Sequence, residues 1–337
     1  MCEQKIRAGS GGEHYIPPSQ RTGEKSIVYF TRDLSPQGLQ KLFERIKNRL
    51  GGKTGIKLHT GEPHGPNIIP HHWVEALIQK EPLLRDGAIV ETNTYYEGGR
   101  YTTSQHLETL RTNGWTFCPV DILDAEGTVS LPVKGGKWFK EMSMGKNLLN
   151  YDSLFVLTHF KGHSKGGFGG SCKNIGIGCA DGRMGKSMIH TTPGSEDPWD
   201  ISNEEFMERM TESAKAVTDY FGSRITYINV LKNMSVSCDC EGTAAEPVVT
   251  PNIGILASHD ILAIDQASVD LVYALKESQR HALTERIESR HGLRQLTYMK
   301  ELHMGNDLYT LTDVDHEDQE ISPEYAVKDV LPFKALS

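Results

Sequence analysis

The sequence predicts an α/β protein: mainly parallel sheets with helices on both faces, in two lobes with a cleft between them. Three observations predict it. Apolar runs of strand length alternate with segments whose apolar residues recur every three or four positions, the signature of successive βαβ units. One of these runs, Leu154 to Leu157, opens into a loop with glycines at 162, 166, 167, 169 and 170 and then a short helix. The chain has 337 residues, 37% of them hydrophobic, which suffices for two domains or one large one. The division read from it is a polar N-terminal arm (1–25), a first α/β lobe (26–145), a second α/β lobe (146–321) and a C-terminal tail (322–337).

Ser26 to Thr31 reads as the first strand. Leu34 to Leu50 follows as an amphipathic helix, with Ser35-Pro36 at its start and Gly51-Gly52 at its end. Ile56 to Leu58 is a second strand, His71 to Lys80 a helix, and Ala88 to Thr92 a third strand ending in the loop Asn93 to Arg100. Thr102 to Asn113 is helical and Phe117 to Ile122 a fourth strand. After the glycine loop, Ser171 to Cys179 reads as a short helix and Asn203 to Phe221 as a long one, with Ser202 as N-cap. Ile225 to Leu231 is a strand feeding Cys238-Asp239-Cys240, and Ile253 to Ala257 is another. Ala263 to Ser278 is a helix whose Asp265 and Asp270 suit its own first turns. Leu283 to His291 is helical.

Composition excludes several classes. A net charge of −8 disfavours a broad nucleic-acid face. There is no apolar run of about eighteen residues to span a membrane, and no signal-peptide core at the start, so a cytoplasmic location is expected. Cysteines then read as thiols or ligands rather than as disulfides.

The chemistry concentrates in a few places. A strand that opens into a glycine loop and then a helix turns backbone N–H groups toward an anion. Gly167, Gly169, Gly170, Lys173 and Asn174 would form that site, with Lys173 exposed in the first helical turn and His190 beyond. His159 and His163 are candidate donors or general acid/base groups near neutral pH. Arg100, closing another strand-end loop, is a candidate carboxylate or phosphate clamp. Both loops follow parallel strands, so they are expected to face one cleft. Cys179, Cys238 and Cys240 each end a strand or loop on one side of the sheet. Three thiolates need a fourth ligand such as His163 or His190 for a zinc site, or they could hold a four-iron cluster with one iron open. Cys172 competes for the third position, and Cys118 reads as core.

Thr158-His-Phe-Lys-Gly-His163, Gly167-Phe-Gly-Gly-Ser-Cys-Lys-Asn174, Gly178-Cys-Ala180, Cys238-Asp-Cys240 and Ile253 to Ser258 with Asp260 and Ala263-Ile-Asp265 closely resemble the iron–sulfur-associated family catalogued as domain of unknown function 362. The resemblance covers about residues 26–312. Many members look like ferredoxin fusions, with a Cys-x-x-Cys-x-x-Cys insert after the segment equivalent to His190. That insert is absent here, so electrons would come from a separate donor. His163-x-x-x-Gly-Phe-x-Gly-x-x-Lys173 is also similar, more remotely, to a segment of the lactate racemase family, which uses a nickel pincer nucleotide. That resemblance implies cofactor attachment at Lys173, nickel binding at His190 and substrate binding at Arg100. Asn174 after the lysine, and the cysteines, depart from the racemase pattern.

The expectation is a metal- or iron–sulfur-dependent enzyme, an oxidoreductase or isomerase acting on a small anionic substrate. Its alternatives are a racemase-like enzyme with a nucleotide-derived cofactor on Lys173, and a metal or cofactor carrier without turnover.

Overall fold

The computed structural model describes residues 13–334 apart from Pro193, Glu196 and Pro198. The strands are β1 (Lys25–Thr31), β2 (Thr54–Lys57), β3 (Ala88–Glu91), β4 (Val120–Ile122), β5 (Thr128–Pro132), β6 (Glu141–Gly145), β7 (Ser153–His159), β8 (Lys161–His163), β9 (Gly167–Gly169), β10 (Ile225–Leu231), β11 (Gly254–Ser258), β12 (Leu308–Asp313) and β13 (Gln319–Ile321). Nine of them form one sheet in the order β13-β12-β1-β11-β10-β7-β2-β3-β4. The run β10-β7-β2-β3-β4 is parallel throughout. β11 lies antiparallel to both of its neighbours, β1 and β10.

The α/β class is as the sequence predicts. The segments read as two lobes meet in this single sheet, because β1 inserts between β11 and β12 and β2 pairs with β7. The expected fourth strand shortens to β4. Two small hairpins, β5–β6 and β8–β9, were outside the strand reading.

The helices are α1 (Pro36–Ile46), α2 (His71–Lys80), α3 (Pro82–Arg85), α4 (Thr103–Thr112), α5 (Ser171–Gly178), α6 (Met184–His190), α7 (Asn203–Phe221), α8 (Ile261–Ala274), α9 (Glu277–Ser289), α10 (Arg294–Glu301) and α11 (Pro323–Val327). Their starts follow from short polar caps. The Ser35 hydroxyl accepts from Gly38 N, Thr102 and Gln105 form a reciprocal capping box, and Ser202 accepts from Glu205 N.

Alternation along each strand sends neighbouring side chains to opposite faces. In β7, Leu154 and Val156 join the core under α5, α7 and α8, while Phe155 and Leu157 join the core under α1 and α2. Both faces are therefore buried, as a parallel run requires. No helix among the described residues is long and apolar enough to cross a membrane.

The N-terminal arm lies back on its own chain from Glu13 onward; its first twelve residues lie outside the described ones. Tyr15 stacks on Tyr273, and Arg21 pairs with buried Asp270 at 2.6 Å. The C-terminal segment contributes α11, whose Ala326 and Val327 are buried.

Candidate functional site

Parallel strands bring their carboxyl ends to one edge, and ligand clefts form there. At this edge β2 delivers Lys57 and His59, β3 delivers Glu91 to Arg100, β7 delivers Thr158 to His163, and β10 leads to the turn that holds Cys238 and Cys240. These segments, with α5, α6 and the start of α7, line a cleft of ≈ 770 Å³ including its open mouth.

Two close approaches build its floor. Gly162 N donates to Ser235 O at 2.8 Å, and a side chain at Gly162 would collide with the Val236 backbone. This glycine lets the β8–β9 hairpin press against the cysteine turn. Asp239, between the two cysteines, then ties the turn to β7 and β8. Its carboxylate lies 2.8 Å from His159 Nδ1 and 3.1 Å from Lys161 Nζ. Burial alone would raise the Asp239 carboxyl, but the charges of His159 and Lys161 outweigh it and hold the group below the usual carboxylate range.

On this frame the Cys238 sulfur, fully buried, sits 3.8 Å from Lys173 Nζ and 3.7 Å from His59 Nε2. Donor atoms of His163, Cys238 and Cys240 lie within 4.8 Å of one another, a group able to hold a metal ion. The Cys240 thiol shares its hydrogen with Cys238 and holds that sulfur well below the usual thiol range, against the cost of burial. Lys173, His163 and His59 act in the same direction. Cys240 is raised in turn.

Two of the histidines lining the cleft, His163 and His190, are fixed in opposite tautomers. His163 Nδ1 accepts from the backbone N–H of Gly166 at 2.9 Å and of Lys165 at 3.2 Å, so its hydrogen is on Nε2. His190 Nδ1 lies 2.7 Å from the Lys186 carbonyl oxygen and must donate, which leaves a bare lone pair on Nε2. Burial, with nearby lysines, pushes His163 down to about 4 and His190 to about 3, so both rings are neutral near pH 7.

The lysines differ in their partners. Lys57 pairs with Glu91 at 2.7 Å, and Lys161 pairs with Asp239. Among the described residues, Lys186 Nζ meets only neutral acceptors, Thr92 Oγ1 at 2.7 Å and the Asn93 carbonyl. Arg100 lines the cleft while its guanidinium donates to Glu62 Oε1 at 2.8 Å and to the Tyr96 hydroxyl at 2.8 Å. Tyr95, His190 and Trp199 pack ring against ring at the mouth.

A model of the family described as Domain of unknown function (DUF362) matches residues 54–270. The chain belongs to this family. No curated protein matches it. Among solved structures it is similar to the lactate racemase apoprotein from Thermoanaerobacterium thermosaccharolyticum, at 15% identity and a TM-score of 0.37, over 64% of this chain and 52% of that one. It is also similar to a structural-genomics protein from Thermotoga maritima, at 15% identity and a TM-score of 0.35, over 58% and 50% of the two chains. The chain spans about half the length of each of these structures.

In this DUF362 chain, Arg100, His163, Gly169, Gly170, Lys173, Asn174, His190 and Cys240 all line the one cleft, with Cys238 directly behind Lys173. Several expectations need correction. Cys179 stands apart from the other two sulfurs: its thiol is packed in the core below β6, and burial pushes it up to about 12. His163 takes the third position beside Cys238 and Cys240.

His159 is not free for chemistry, because Asp239 and the Lys232 carbonyl oxygen (2.7 Å) claim both of its nitrogens. Lys173 is buried rather than exposed. The anion site at the α5 N-terminus is already filled by the chain itself. Asp265 of α8 accepts from Ser171 N at 2.7 Å and Cys172 N at 2.8 Å, so it caps α5 and not its own helix. A side chain at Gly170 would strike that carboxylate, so the glycine makes room for Asp265. Gly167 turns the hairpin at a φ of 76° beside Gly292 and is not part of the cleft wall.

The sequence reading missed Lys57, His59, Glu91, Lys161 and Lys186. A signal was present for two of them, since Lys57 lies between Ile56 and Leu58 and Glu91 follows Ala88-Ile-Val, and a charge in an apolar run needs a partner.

Proposed function

We propose that the protein is an enzyme that takes a small organic anion into this cleft and acts on it at a centre built on Cys238 and Cys240. The observation that carries the reading is the Cys238 sulfur, enclosed by Lys173, His59, His163 and Cys240 at the foot of an open cleft. A buried thiol used only for packing lies among apolar groups, as Cys172 and Cys179 do. Lys173, which lines the cleft beside the Cys238 sulfur, supplies the positive charge for the substrate. His163 offers a hydrogen and His190 a lone pair, so one group can donate and the other accept when a proton moves.

A metal-bound form is the second reading, favoured by the grouping of His163, Cys238 and Cys240. Two sulfurs and an imidazole suit a thiophilic ion such as zinc. The fit is incomplete at His163. A lone pair on its Nε2 requires a hydrogen on Nδ1, where two backbone N–H groups already point. A four-iron cluster does not fit this donor set, because the third thiolate, Cys179, stays in the core. A nickel pincer nucleotide would be held by Lys173 and by the bare Nε2 of His190, both of which line the cleft. It would supply a metal–carbon centre for hydride chemistry when bound.

The test is anaerobic purification followed by metal analysis, intact mass and anion binding by calorimetry before and after chelation. The expected result is an unmodified mass with acetate or phosphate binding retained after chelation. Stoichiometric iron with sulfide, or a mass addition on Lys173, would contradict the leading reading.

A further inference from the structure

Lys186 is the cleft lysine whose surroundings are hardest to explain as structure. Lys57 and Lys161 each neutralise a buried carboxylate, and Lys173 faces the Cys238 sulfur. Lys186 is equally buried, yet among the described residues its Nζ contacts only the Thr92 hydroxyl and the Asn93 carbonyl. A helix residue with a long side chain would normally carry its charge to water. Here α6 carries it into the cleft wall instead, beside His190.

The charges nearest it are of both signs. Asp124 and Glu91 favour the ammonium form, while Arg100 and Lys57 oppose it. Burial dominates and brings the amine down to about 8. Burial and partners that are neutral both loosen its hold on the proton, the setting of a nucleophilic lysine.

We infer that Lys186 is a covalent catalytic residue, forming an imine with the carbonyl carbon of a small 2-oxo carboxylate whose carboxylate is held on the Lys173 side of the cleft. The inference rests on the proposed anion cleft for the carboxylate, and on the placement of Lys186 alone for the carbonyl. In the step, the neutral Lys186 amine adds to the carbonyl carbon and a C–N bond forms. The carbonyl oxygen leaves as water with the two amine hydrogens, giving imine plus water with no change in oxidation state. The Thr92 hydroxyl, 2.7 Å from Nζ, is placed to relay a hydrogen to the departing oxygen.

The experiment is borohydride trapping of the full chain with pyruvate, followed by intact mass and peptide mapping. Butanone, of similar size but uncharged, is run in parallel. The expected result is a single reduced adduct on Lys186 with pyruvate and at least about tenfold less with butanone, the discrimination due to one charge-assisted contact. Lys186→Arg keeps the charge and should give no adduct; mapping the wild-type chain makes the result independent of how that variant folds. An adduct on Lys173, equal labelling by butanone, or no adduct would overturn the inference. Acetate that still binds in the no-adduct case would leave the anion cleft standing, whereas absence of any anion binding would remove both readings.

Discussion

Two turns at the same sheet edge make an instructive pair: the glycine hairpin after β7 and the cysteine turn after β10. The hairpin is much the louder in sequence, yet its groups are mostly committed inside the fold. Asp265 occupies the helix N-terminus, Asp239 and a carbonyl hold His159, and His163 Nδ1 is taken by backbone N–H groups. The cysteine turn is short and quiet, yet it presents a sulfur surrounded by hydrogen-bond donors and cations. Glycines in sequence mark where a backbone must turn tightly or pass close to another. Unspent chemistry is a different property, visible only once the partners are known.

The sharpest way to break this contrast is Asp239→Ala, since that one carboxylate joins the two turns. It leaves His159 and Lys161 buried without their partner, and about 3–5 kcal/mol of stability should go. A loss under about 1 kcal/mol in urea unfolding would mean the turns are not coupled through it.

Asp265→Ala should come next, at about 2–3 kcal/mol, because Ser171 N, Cys172 N and Asn229 Nδ2 lose their acceptor. Its pH signature has a definite sign. Burial raises the Asp265 carboxyl to about 6, so the folded state holds that proton more tightly than the unfolded chain does. The associated stability is present below the unfolded value of about 4 and is lost as pH rises through about 6. Asp265→Asn should remove that slope in thermal melts taken across the interval. An unchanged slope would assign it to another group.

Lys173→Met sharpens the comparison from the other side. The lysine faces the sulfur, so the variant should fold with nearly native stability while thiolate absorbance at pH 7 falls and acetate affinity drops about tenfold. A large loss of stability with unchanged thiolate would make Lys173 structural.

Most of the framework was legible in the sequence because periodicity and caps are local. β1 with α1 and the Ser202 start of α7 lie where apolar spacing and a capping residue put them, and α5 follows β7 where the glycine loop puts it. The single sheet was not legible, because nothing local to residues 26–31 says that they insert between β11 and β12. The cleft was half legible. Arg100, His163 and Lys173 follow strands whose ends share an edge, so their meeting follows from topology. The exclusion of Cys179 does not, since it depends on which side of α5 its thiol faces. Nor does the destination of Asp265, which caps a helix about ninety residues earlier in the chain.

The central claim, that a cationic cleft delivers small anions to the Cys238–Cys240 centre, is tested most directly by alkylation with two reagents that differ in charge. Iodoacetate and iodoacetamide are compared at pH 7 by mass mapping of the peptide holding both cysteines, with glutathione in the same buffer as reference. The account predicts an iodoacetate-to-iodoacetamide rate ratio at least about tenfold above that of glutathione, falling with added salt and in Lys173→Met. A ratio equal to that of glutathione, indifferent to salt and to Lys173, would contradict it.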